Sequence, residues 1–199
     1  MTLTRFLGAA ALALALPACS LSGLLGGGKP PATLQTLTPE APDPGAIQRT
    51  VNAGQAVTVS TPTVPKELRT VRVPVQLGPT DIQYVTGLQW VDTPDKLFQA
   101  LVEETIRRTT SRVVLDPGQA TLDPGLVITG QLQRFGYDAT TGQVVVVYDA
   151  SLSTEGGSRV ESRRFTASQP ADGSGAAVGP ALNRAANAIA LDVARWVGG

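Results

Sequence analysis

The chain contains no histidine, and that absence removes a large part of enzyme chemistry. Ser-His-Asp and Cys-His catalysis both need an imidazole to carry the proton, and a His-containing zinc site needs its ring nitrogen. A single cysteine, Cys19, excludes an intramolecular disulfide and any cysteine-rich metal cluster. Charge is scarce and balanced. Sixteen Lys+Arg stand against 16 Asp+Glu, and charged residues are 16% of the chain, against roughly 25% in ordinary soluble domains. A net charge of zero provides no clustered excess of Lys and Arg for phosphates, so nucleic acid is not expected as a partner. The apolar run at residues 6–18 is too short, at ~1.5 Å per residue, to span ~30 Å of hydrocarbon as a helix. What remains is 199 residues, enough for one domain with a real core, and a composition that favours export or interaction over catalysis.

The N-terminus reads as an address. Residues 1–5 carry one positive charge, on Arg5, and residues 6–18 are almost wholly apolar and uncharged. These are the n-region and h-region of a secretory signal. The run ends in Leu16-Pro17-Ala18-Cys19, which resembles a bacterial lipobox: Leu at −3, a small residue at −1, then cysteine. The motif implies that the Cys19 thiol receives a diacylglyceryl group, that the peptide is cut before Cys19, and that the new amino group is acylated, for instance with palmitate. Each buried CH₂ contributes ~0.8 kcal/mol, so three acyl chains anchor the protein essentially permanently. Ser20 stands where an aspartate would favour inner-membrane retention, and so favours the outer membrane, with the domain facing the periplasm. Gly26-Gly27-Gly28 and Pro30-Pro31 then make a flexible tether followed by a stiff one. Fully extended, the chain from Cys19 to Thr33 reaches at most ~50 Å. The expected organisation is therefore a signal at 1–18, a lipidated Cys19 with its Gly/Pro-rich tether at 19–33, and a domain at 34–199.

Within the domain, residues 33–37, 57–60, 71–75 and 82–85 read as short strands, which Pro62, Pro65, Pro74 and Pro79 confine to edges, ends or bulges. Asp92-Thr93-Pro94 starts a helix in which Leu97, Phe98, Leu101, Val102, Thr105 and Ile106 share one side. Glu103→Arg107 and Glu104→Arg108 form (i, i+4) pairs on its solvated face. Leu115-Asp116-Pro117-Gly118 recurs as Leu122-Asp123-Pro124-Gly125, and both suit type II turns better than a calcium loop. Residues 126–138, 144–154 and 159–166 form a β-meander through Thr141-Gly142 and Gly156-Gly157. Arg159, Arg163 and Arg164 are in reach of anionic headgroups or a partner, although such arginines more often decorate the solvent face of a strand.

Pro180 reads as the start of a final helix. Its stripe of Leu182, Ala185, Ala186, Ile189, Val193, Trp196 and Val197 packs on the sheet, with Asn183, Arg184, Asn187 and Arg195 away from it. Gly173-Ser174-Gly175 before it reads as a loop and cap rather than a phosphate loop, since it lacks the lysine and spacing. No catalytic constellation, metal site or cofactor site emerges. A serine nucleophile would need a lysine base, and the lysines left after the signal are Lys29, Lys66 and Lys96, the first in the tether. No pair of carboxylates is singled out, although a hydrolase built on two acids converging in space stays open.

The order of these pieces resembles the ABC-type transport auxiliary lipoprotein family, which includes the PqiC-like lipoproteins. The resemblance covers residues 33–197. It is carried by Leu34-Gln35-Thr36-Leu37-Thr38-Pro39, Leu68-Arg69-Thr70-Val71-Arg72-Val73, Ile82-Gln83-Tyr84 and Leu88-Gln89-Trp90 before the first helix. Leu132-Gln133-Arg134-Phe135 and the Ala-rich closing helix with Ala181-Leu182-Asn183 and Trp196 complete it. Thr33 stands where the family often has an aromatic. The resemblance implies an α+β domain, a largely antiparallel sheet with two main helices packed on it, behind a cleaved lipoprotein signal and flexible tether. It implies an auxiliary, non-catalytic role beside an ABC permease and ATPase and an MCE-domain substrate-binding protein, moving lipid between membranes. A homo-oligomer is compatible with it. The alternative is a structural envelope lipoprotein that assembles with cell-wall or outer-membrane machinery without transport. Trp90, beside a helix start, is expected in the core rather than on lipid.

Overall fold

A computed structural model describes residues 33–52, 54–122, 125–154 and 157–198, without the side chains of 120–122. They belong to one compact unit, Pro31–Gly199. The signal at 1–18, Cys19 and the tether up to residue 32 lie outside the described residues, as do Asp123, Pro124 and Gly156 of the expected turns.

Among the described residues, seven strands and two α-helices follow in the order β1 (Val57–Val59), β2 (Arg72–Gln76), β3 (Ile82–Gln89), α1 (Pro94–Thr109), β4 (Val114–Leu115), β5 (Leu126–Asp138), β6 (Gln143–Thr154), β7 (Arg159–Pro170) and α2 (Gly175–Gly198). The meander β5–β6–β7 is antiparallel throughout, from Val127↔Ser153 to Asp138↔Gln143 and from Gln143↔Pro170 to Thr154↔Arg159. The other edge of β5 is divided. β1 pairs with its beginning at Val57↔Leu126, and β2 with its end at Val75↔Tyr137, both parallel. β4 flanks β1 in parallel, and β3 flanks β2 antiparallel. The sheet is thus mixed: its long ladders are antiparallel as expected, and its short ones are parallel. Strand direction is invisible to a period-2 pattern, which explains the difference.

The core lies between one sheet face and both helices. On β6, Val144, Val146, Tyr148, Ala150 and Leu152 alternate inward and are all buried. They meet Leu182, Ala185, Ala186, Ile189, Val193 and Val197 of α2 and Phe98, Leu101, Val102 and Ile106 of α1 in one cluster. Phe98 meets Tyr148 edge-on at 5.0 Å, and Trp90 meets Phe135 at 5.7 Å. Trp90 is 1% exposed and belongs to the core as expected. Burial pushes the Tyr148 phenol well above its ordinary pKa, so it stays neutral. No helix among the described residues is long and apolar enough to cross a membrane.

Several boundaries differ from the sequence reading. α2 starts at Gly175, five residues before Pro180, because Ser174 caps it: its carbonyl takes the Val178 N–H at 2.9 Å and its hydroxyl the Ala177 N–H at 3.3 Å. Pro180 sits inside the helix and removes one intrahelical donor. β3 runs on to Gln89 through an irregular stretch opposite Arg72 and Pro74, where Gly87 takes φ 73°. Gly118 is not left-handed, so no type II turn forms. Asp116 Oδ1 instead accepts the Gly118 N–H at 2.9 Å, and a 3-10 helix runs over Pro117–Leu122. The expected strand at 33–37 reduces to one parallel bridge, Gln35↔Trp90.

Candidate functional site

Two places on the described surface are built from side chains the core does not require. The first holds the segment that follows the tether. Gln35 donates to Gln89 O and accepts from the Val91 N–H, each at 2.8 Å. Further along, Asn183 Oδ1 accepts the Thr38 N–H at 2.8 Å. Asn187 takes the Glu40 N–H on Oδ1 at 2.8 Å and gives its amide to Thr38 O at 2.9 Å. Arg108 donates to Ala41 O at 2.9 Å while pairing with Glu104 at 2.8 Å. The expectation that Asn187 lies away from the buried stripe is overturned, for it is 6% exposed. Two asparagines four residues apart on one helix present their amides in line, and an extended peptide bonds to both. This spacing was the available signal in the sequence. An open groove of about 470 Å³ adjoins the clasp, between Ala41, Pro42, Thr105, Thr109, Arg184 and Leu191.

The second place is at the start of β7, where strand parity separates the three arginines that sequence reading grouped together. Arg159 and Arg163 are four residues apart and share a face with Phe165, which packs on α2; Arg164 points to the other face. There Arg164 forms a bidentate pair with Asp149 across the ladder, both contacts at 2.6 Å. The hydrogen bond and charge of Arg164 hold the Asp149 carboxyl below the usual carboxylate range. Arg164 is therefore a cross-strand partner on the solvent face, as expected. Arg159 and Arg163 are not: they stand at the rim of the helix-covered face, beside the last turn of α2.

That rim forms an open groove of about 440 Å³. Trp196 stands in it, its ring 5.7 Å from Phe165 and 5.1 Å from the Arg163 guanidinium. Glu161 is its carboxylate among the described residues, accepting the Trp196 indole N–H at 3.1 Å and pairing with Arg159 and with Arg163 at 3.8 Å. The indole hydrogen bond, then the Arg159 charge, hold Glu161 below its ordinary pKa. Arg112 and Arg195 complete the groove, over Leu126, Leu152 and Val197. Among the described residues no group of three metal-ligating side chains converges. Cys19, the predicted lipidation residue, is outside the description.

The fold defines an α+β domain of a kind already seen in crystals. It superposes on a Xanthomonas campestris protein with a TM-score of 0.67 at 19% identity, covering 83% of this chain and 95% of that one. An uncharacterised protein matches with a TM-score of 0.60 at 14% identity, over 75% of this chain and 96% of that one. At such identities the likeness concerns the fold alone. No match was found among curated proteins. The family model of the ABC-type transport auxiliary lipoprotein component matches residues 36–194, and the chain belongs to that family. The match takes in α1, the whole meander, Asn183 and Asn187 of the clasp and α2 up to Ala194, and begins just after the tether.

Proposed function

We propose that this protein is a lipid-anchored periplasmic subunit of an envelope lipid-transport system, held at the outer membrane through Cys19. In this role it is a docking component, and the permease, the ATPase and an MCE-domain substrate-binding protein are other chains. The observation that carries the reading is the family match over 36–194, which follows Cys19 and a Gly/Pro-rich stretch in a sequence that resembles a lipobox. The clasp supports it: residues 35–41, which lead out of the tether, are hydrogen-bonded to Gln89, Val91, Asn183, Asn187 and Arg108. The segment behind the tether is thus held both at the end of β3, through Gln35, and on the helices, through Asn183, Asn187 and Arg108. The absence of histidine and the neutral chain agree with docking rather than turnover.

The test is the anchor together with its consequence. Cys19→Ala abolishes acyl-chain labelling, shifts the protein out of the outer-membrane fraction, and reproduces the lipid-asymmetry defect of a deletion strain. Unchanged labelling and fractionation would overturn the anchor. Normal lipid asymmetry in the deletion strain would overturn the transport role.

A further inference from the structure

The groove at Trp196 concentrates positive charge in a chain whose net charge is zero. Among the described residues, four arginines (Arg112, Arg159, Arg163 and Arg195) line it against one carboxylate, that of Glu161. Glu161 is shared three ways, among Arg159, Arg163 and the Trp196 indole, and so neutralises neither arginine alone. Arg195 reaches Asp192 one turn back at 3.2 Å. Arg112 has no carboxylate partner among the described residues. Its Nε donates to Val197 O and one Nη to Gln55 O, both at 3.3 Å, which fixes the guanidinium with its remaining N–H groups free to donate elsewhere. Rigid guanidinium forks suit a tetrahedral oxyanion, because two parallel N–H groups match two of its oxygens. The floor is of a different character. Half-buried Leu126 and Trp196 lie beside buried Leu152 and Val197, giving an apolar strip next to the cationic rim.

A cationic rim beside an apolar strip recognises an amphiphile with an anionic head. We propose that this groove binds the phosphate headgroup of an anionic phospholipid, with the phosphate on the Arg112, Arg159, Arg163 and Arg195 forks and the first part of the stem along Trp196 and Leu126. The assignment deepens the lipid-transport reading and rests on it for choosing a phospholipid among anionic amphiphiles. Glu161 opposes the phosphate, so removing its charge strengthens binding. Arg164, bonded to Asp149 on the opposite face, takes no part.

The full-length lipoprotein is held in phosphatidylcholine nanodiscs, labelled with ¹⁵N at tryptophan, and followed by NMR through the indole N–H of Trp196, assigned with Trp196→Phe. Water-soluble dihexanoyl-phosphatidylglycerol is expected to shift this signal saturably and leave that of buried Trp90 in place. Inorganic phosphate and dihexanoyl-phosphatidylcholine bind about tenfold or more weakly, the first for lack of a stem and the second for its ammonium group. Arg159→Ala with Arg163→Ala weakens phosphatidylglycerol about tenfold or more. Glu161→Gln tightens it roughly threefold, and Arg164→Ala leaves it unchanged. Thermal melts of the variants check that each is folded. Three results overturn the proposal: no saturable shift with phosphatidylglycerol, inorganic phosphate binding as tightly as the lipid, or Arg164→Ala weakening binding as much as the double variant. None of these depends on capture of a transport complex, so the groove and the transport role fail separately.

Discussion

Asp138 closes β5, 9% exposed, and organises the turn into β6. Its carboxylate takes the Thr140 hydroxyl at 2.5 Å, the Thr140 N–H at 3.0 Å and Arg134 at 3.1 Å. The Thr140 hydroxyl is the largest of the influences that hold its pKa below the ordinary aspartate value. A depressed folded-state pKa contributes stability above the unfolded value of about 3.9, and that contribution is lost as pH falls through the folded value. Asp138→Asn is therefore expected to cost about 1 kcal/mol at neutral pH, a gap from wild type that narrows at acid pH, as the carboxylate is protonated in the folded state. Thermal melts at both pH values check this, and an equal gap at each would contradict it. These contacts are local, with Thr140 two residues on and Arg134 four residues back, so the Asp138-Ala139-Thr140 spacing was a further turn signal in the sequence beside Thr141-Gly142.

Elements show where local signals suffice and where contacts at long separation take over. α1 forms over the residues its pattern predicts, because Thr93-Pro94 and the stripe through Ile106 are local. The start of α2 differs from the sequence expectation because proline at a first turn and proline inside a helix look alike in sequence; the Ser174 cap sets it. The parallel joining of β1 and β2 to β5 links segments more than fifty residues apart, beyond what local periodicity records. Close approach inside the sheet gives a clear contrast. A Cβ on Gly130 would stand 2.3 Å from the Asp149 carbonyl oxygen and 2.7 Å from the Tyr148 ring, with backbone that cannot give way. Gly130→Ala is expected to destabilise by about 2 kcal/mol or more, within the range of overpacked cores. At Gly179 the obstacle is the end of the Gln35 side chain, which can swing aside while the helix gains propensity. Gly179→Ala is expected to stay within about 1 kcal/mol of wild type. Denaturant titrations compare the two, and the reverse order would contradict the packing described.

The clasp belongs to the same scale. Asn187→Ala removes the partner of the Glu40 N–H and the Thr38 carbonyl, a loss of about 1 kcal/mol. Its expected signature is faster hydrogen exchange confined to residues 35–41; uniform acceleration across the meander would show that the segment is not held separately.

At the scale of the whole molecule, the sequence marked most of the sheet and both helices, but not β4, the first turn of α2 or the groove at Trp196. Arg112, the Arg159 and Arg163 pair, and Arg195 lie far apart along the chain, and only the fold brings the start of β7 to the last turn of α2. The clasp was hidden for the same reason, with Thr38 and Asn183 separated by 145 positions. Composition alone had suggested that this chain acts through its surfaces, and the structure supplies two built from polar side chains around an apolar core. The transport role stands or falls on partners. Crosslinking in the native host, followed by purification through this lipoprotein, is the most direct measurement. The expected result is co-purification of an MCE-domain protein with an ABC permease and ATPase, lost with Cys19→Ala. Recovery of cell-wall or outer-membrane assembly proteins with no MCE-domain protein would contradict it.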